Sequence, residues 1–126
     1  MDISNKLSTK TKYAKLISLL FNARTNTHIA HLQTTSYAQH KALNEFYDEV
    51  VDLADRFAES SQGSIGIITG YTIGDLFTGS ITDYLKGQLT EILSMRSQFQ
   101  EGHLVQIIDD VVELYTSTLY KLTILK

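Results

Sequence analysis

Three of the chain's four histidines, His28, His31 and His40, fall within thirteen residues of one another. A ladder of carboxylates follows, with Asp48, Asp52, Asp55 and Glu59 at helix-compatible intervals. Neutral imidazole nitrogen combined with carboxylate oxygen is a mixed donor set suited to iron, zinc or manganese. His28 and His31 are three residues apart, so on a helix they share one face and can meet one ion or one partner together. Wound as a helix, the segment from His40 places Asn44, Asp48, Asp55 and Glu59 along one flank, bordering the apolar face without occupying its centre. The alternative is plain: a helix flank of this composition is ordinarily a solvated face.

Other chemistries lack their residues. No cysteine is present, which removes disulfides, thiolate metal sites and thiol catalysis and is compatible with a reducing cytoplasm. The glycine-rich "GSIGIITG" has neither a dinucleotide-binding spacing nor the Gly-Lys-Ser/Thr ending of a phosphate loop. There is no His-Glu-x-x-His and no nucleophile elbow. Net charge is −3, which makes no case for a dedicated nucleic-acid binder. Lys6, Lys10, Lys12 and Lys15 form a thin basic segment, which multivalency in an oligomer turns into weak DNA binding. No apolar run approaches the roughly 20 residues of a membrane helix. "LISLLF" is too short for a signal peptide and contains Ser18.

The elements that must position these residues are helices. Hydrophobic content of 43% with 20% charged residues fits one soluble globular domain over residues 1–126, and no proline interrupts it. Apolar residues at three- and four-residue intervals predict helices at about 9–33, 36–60, 81–98 and 103–122. Thr35 or Ser36 is the N-cap expected for the second. Five of the seven glycines lie in residues 61–80, which reads as a long connection with some apolar anchoring and room for a short helix. The expected fold class is all-α. Short, long and short connections are the order of a ferritin-like antiparallel four-helix bundle, with the long crossover between helices 2 and 3. An up-down-up-down bundle with an embellished loop is the alternative. No Glu-x-x-His occurs, so a di-iron centre inside the bundle is not expected; a site on the flank of the second helix would be completed by another subunit.

The stretch "HLQTTSYAQHKALNEFYDE" and the ending "LYKLTILK" resemble Dps-like mini-ferritins, the DNA-protecting, iron-storing proteins of starved bacteria. The resemblance is closest to small Dps-like proteins of tailed bacteriophages, and the helix plan extends it over most of the chain. It implies a ferroxidase site at a two-fold subunit interface in a homo-oligomeric shell. One histidine comes from late in helix 1, and helix 2 supplies His-x-x-x-Asp and, eleven residues on, Asp-x-x-x-Glu. By position His40 matches the helix-2 histidine, Asp55 the later aspartate and Glu59 the glutamate. The helix-1 ligand is either His28, at the ungapped distance, or His31 with a shorter loop.

Two departures matter. Asn44 stands where the family has its first aspartate, and its neutral carbonyl weakens one subsite. Asp48, one turn on, can compensate in part through water. His31 is followed by Leu32 where family members usually have tryptophan, and the chain has no tryptophan. The implied function is binding of iron or another divalent metal, with oxidation of Fe(II) by His40, Asp55 and Glu59 and storage in a shell. The competing class is a non-enzymatic phage accessory or virion-associated interaction protein on the same scaffold with a degenerate site.

Overall fold

A computed structural model describes residues 3–125, with side chains described from Lys10 onward. Four α-helices follow one another: α1 (Ile3–Gln33), α2 (Tyr37–Ile65), α3 (Ile81–Arg96) and α4 (Gly102–Thr123). Ser36 caps α2 by accepting from Gln39 N, and Ser80 caps α3 by accepting from Asp83 N. Each helix buries one stripe of apolar side chains, led by Leu16, Leu20, Phe46, Phe57, Leu85, Ile92, Ile108 and Tyr115. Phe46 meets Tyr115 edge-on with centroids 4.9 Å apart, and Tyr13, Phe57 and Phe99 form a second aromatic cluster.

Neighbouring helices run antiparallel. The ion pair Lys121–Glu45 (2.8 Å) ties the end of α4 to the start of α2. Lys12 Nζ donates to Gln98 O (2.6 Å), so α3 ends beside the start of α1. α1 packs on α2 and α3, α4 also packs on α2 and α3, and α2 and α3 lie diagonally across the core. The connection from α2 to α3 must therefore travel the length of the bundle. Fifteen extended residues reach about 50 Å, against roughly 43 Å for the 29 residues of α2. The fold is an all-α four-helix bundle with one long crossover.

Helix α2 runs five residues past its expected end, through "SQGSI". Ser61 is buried and Ile65 packs against the core, so tertiary burial overrides weak local propensity. Gly66 stops the helix with φ +87°, a conformation L side chains rarely adopt, while its N–H still bonds Gln62 O. Residues 66–80 contain no helix. Ser61 Oγ is buried without a hydrogen-bond partner among the described residues. Ser61→Ala is expected to raise stability by about 1 kcal/mol, read as a higher urea midpoint at unchanged slope.

The crossover is held through its backbone by one flank of α1. Ser18 Oγ accepts from Thr72 N (3.0 Å), Asn22 Oδ1 from Gly74 N (2.9 Å) and Asn26 Oδ1 from Phe77 N (2.8 Å). Lys10 Nζ donates to Ile67 O at the lower end (3.1 Å). These four positions satisfy chain that would otherwise carry unpaired donors and acceptors against the bundle. Gly74 approaches so closely that an added Cβ would lie 2.8 Å from Asn22 Nδ2.

Asn26 continues into a buried polar chain. Its amide donates to Tyr84 Oη (3.0 Å), Gln88 Nε2 donates to the same oxygen (2.8 Å), and Tyr115 Oη donates to Gln88 Oε1 (2.7 Å). Burial pushes the Tyr115 hydroxyl well above its usual value near 10, and raises Tyr84 and Tyr13 as well. A raised tyrosine pKa means the folded chain holds its proton longer than the unfolded one. That stabilisation is complete below about pH 10 and is lost as pH rises beyond it. The denaturation midpoint is expected to fall above pH 10, and less steeply in Tyr115→Phe.

Candidate metal-binding site

The hairpin between α1 and α2 brings the histidines together. His31 and His40 stack with ring centroids 3.6 Å apart and planes 20° from parallel. His31 Nδ1 lies 2.6 Å from His40 O, and His40 Nδ1 lies 2.8 Å from His31 O. A carbonyl oxygen only accepts, so both Nδ1 atoms carry the hydrogen. In the neutral imidazole this leaves Nε2 with its lone pair, and no described residue bonds either Nε2. His31 O is one of the last carbonyls of α1, which lack partners within the helix; His40 therefore caps α1 from the start of α2.

Around this pair lie further rings. His28 stacks on Tyr47 at 4.2 Å, and the Arg24 guanidinium sits 5.5 Å from the Tyr47 centroid. Tyr37, on the open side of His40, lies 6.4 Å from it and nearly parallel. A surface cavity of about 320 Å³ is lined by His31, Tyr37, His40, Lys41, Asn44 and Glu45. His31 is buried, His28, His40 and Asn44 are half-buried, and Asp48, Asp55 and Glu59 are exposed.

Asn44 is committed to its own helix. Its Oδ1 accepts from Tyr47 Oη (2.7 Å) and its Nδ2 donates to Asp48 Oδ2 (3.2 Å). Asp48 is thus adjacent to Asn44 through a direct hydrogen bond. Asp55 and Glu59 make no hydrogen bond or ion pair with the described residues. They lie 15 and 19 residues beyond His40, about 22 and 28 Å along the helix axis. Within one chain the histidines and these two carboxylates do not meet. Among the described residues no three of His, Asp or Glu surround a common point that could hold an ion.

The buried polar side chains of the described core are Ser18, Asn26, Thr27, His31, Ser61, Gln88 and Thr118, with no carboxylate among them. His103 is exposed at the start of α4, where Glu101 is the N-cap residue. Lys10 and Lys12 are spent on Ile67 O and Gln98 O; the side chain of Lys6 lies outside the described residues. No described helix is long and apolar enough to cross a membrane.

A family model described as a family of unknown function, DUF5856, matches residues 31–122. The chain belongs to DUF5856. The matched span opens on His31 and contains His40, Asn44, Asp48, Asp55 and Glu59, while His28 precedes it. The DUF5856 chain is also similar to an uncharacterised 14.6 kDa protein in the mobD-ri intergenic region of Enterobacteria phage T4, 39% identical over 56 residues. That alignment covers 44% of this chain and 44% of the phage protein, so the chain spans less than half of that relative's length. No solved structure matches the DUF5856 chain.

Sequence reasoning identified the histidines but missed their ring partners. Tyr37 and Tyr47 read as ordinary helix residues, and only the fold shows that Tyr47 lies under His28 and supports Asn44.

Proposed function

We propose that this chain binds iron or another divalent metal in the manner of a Dps-like mini-ferritin, at a site completed by a second copy of itself. The observation that carries this reading is the reciprocal lock of His31 and His40. Metal-binding histidines usually donate their other ring N–H to a carbonyl or carboxylate, which fixes the tautomer and aims the free nitrogen. Both rings meet that requirement. Because they stack face to face, their in-plane lone pairs do not converge on one ion. Each would serve a separate subsite.

The carboxylates enter from the partner. A two-fold axis near Asp48, with the two α2 helices antiparallel, brings His40 of one copy opposite Asp55 and Glu59 of the other. Asp48 then faces its own copy across the axis, an arrangement that favours a cation between them. His31 takes the helix-1 role and His28 supports it through Tyr47. Asn44, held by Tyr47 and Asp48, supplies no charge, so one subsite is weaker than the other. Fe(II) is the substrate here, and peroxide or dioxygen is the electron acceptor; the protein contributes position and negative charge. A homo-oligomeric shell storing oxidised iron in a host cytoplasm extends the same reading.

Complementation between copies tests it. A His31→Gln/His40→Gln variant and an Asp55→Ala/Glu59→Ala variant should each lose saturable Co(II) binding, and a co-refolded mixture should regain part of it. A mixture as inert as its parents contradicts a shared site. One observation favours a second reading. The histidine lock already closes the α1–α2 hairpin, and Asn44 is satisfied internally, so the scaffold stands without metal as a phage accessory or virion-associated interaction protein. Metal-independent folding with no metal uptake is its expected signature.

A further inference from the structure

A second site lies on the opposite flank of α1, where the crossover, α1 and α3 enclose a cleft of about 250 Å³. Its floor is polar and buried. Tyr84 Oη accepts from Asn26 Nδ2 and from Gln88 Nε2, and both partners are –NH₂ groups that cannot accept in return. The amide of Gln88 cannot be turned the other way, because Nε2 also donates to Leu19 O (3.2 Å) and Oε1 receives Tyr115 Oη. The hydroxyl hydrogen of Tyr84 therefore has no acceptor among the described residues. Ser18, 3% exposed, stands in the same position: its Oγ accepts from Thr72 N, and its own hydrogen has no described acceptor.

Two hydroxyl donors without acceptors in one cleft call for an incoming oxygen. The rim adds charge of both signs. Lys15 lines the cleft from α1, Asp75 from the crossover and Glu91 from α3. None of the three forms an ion pair within 4.0 Å among the described residues, so the opposite charges are held apart around an open space. With one cation and two carboxylates, a simple anion gains little. A molecule carrying a carboxylate and an ammonium matches both. The volume is below the roughly 300 Å³ at which drug-sized sites begin, which limits the occupant to a small molecule.

We propose that this cleft binds a small α-amino acid as its zwitterion. The carboxylate accepts from the Tyr84 and Ser18 hydroxyls beside Lys15, and the ammonium faces Asp75 and Glu91. The crossover supplies one wall, so occupancy also braces the segment held by Asn22 and Asn26. The site uses none of the histidines or α2 carboxylates and stands apart from the metal reading.

Isothermal titration of the full chain with glycine, L-alanine, L-serine and L-asparagine tests it, with acetate and ethylammonium as half-ligands. The expected result is saturable binding of at least one amino acid, with neither half-ligand competing at equal concentration. Tyr84→Phe and the rim variant Glu91→Gln should each weaken it tenfold or more, and Glu91→Gln leaves the buried chain intact. Absence of saturable heat from all four amino acids overturns the proposal, since water alone then satisfies the two hydroxyls. Acetate binding as tightly as the amino acids overturns it too, because the site would read an anion only.

Discussion

Asn26→Ala should destabilise the chain by about 3 kcal/mol, a drop in Tm on the order of 10 °C. One side chain here bonds Asn22 O, Tyr84 Oη and the Phe77 amide. Each bond contributes roughly 1 kcal/mol net, and truncation leaves the half-buried Phe77 N–H without its partner. The damage should be local first. Amide exchange at Thr72, Gly74 and Phe77 is expected to accelerate before that of the α2 and α4 core, because the crossover has few other backbone bonds. Asn22→Ala removes only the bond to Gly74 and should cost about a third as much. Equal effects of the two substitutions would contradict the role assigned to Asn26 as the joint between crossover, α1 and α3.

His31→Ala is the second large effect, with an expected loss of roughly 2–3 kcal/mol. It removes a buried ring, its 2.6 Å bond to His40 O and the stack with His40. His40→Ala removes the bond that caps His31 O at the end of α1. The two substitutions should be coupled by about 1 kcal/mol in a double-mutant cycle, since either one abolishes the stack. His28→Ala leaves the reciprocal lock in place and should cost less. Additive losses for His31 and His40 would mean that the rings do not act as a pair.

Helix existence was legible because periodicity is a long-range, redundant signal. Seven apolar positions in α2 repeat at helical spacing, and Ser36 and Ser80 cap where side-chain chemistry favours a start. The end of α2 was hidden because "SSQGS" has the composition of a break, and only burial of Ser61 and Ile65 keeps it helical. The choice between His28 and His31 turned on the geometry of a three-residue loop, which spacing alone does not resolve. In the fold His31 meets His40, and His28 meets Tyr47. Ser18, Asn22 and Asn26 left a faint trace, polar residues four apart within the buried stretch of α1 and ahead of a glycine-rich connection. Tyr84 and Tyr115 fall in the apolar repeats of α3 and α4, but Gln88 left no trace, because a buried glutamine looks like a surface one until its neighbours are known.

In the proposed dimer, His31 and His40 of one copy each serve a separate subsite, completed by Asp55 and Glu59 of the other. The most direct measurement titrates anaerobic, metal-free protein with Fe(II), then adds peroxide and follows oxidation, beside the Asp55→Ala/Glu59→Ala variant. Saturable binding and oxidation faster than in buffer are expected, both lost in the variant although these exposed substitutions leave the fold intact. Wild type and variant behaving alike would contradict a shared site, and the carboxylate ladder would then be only the wetted flank of α2.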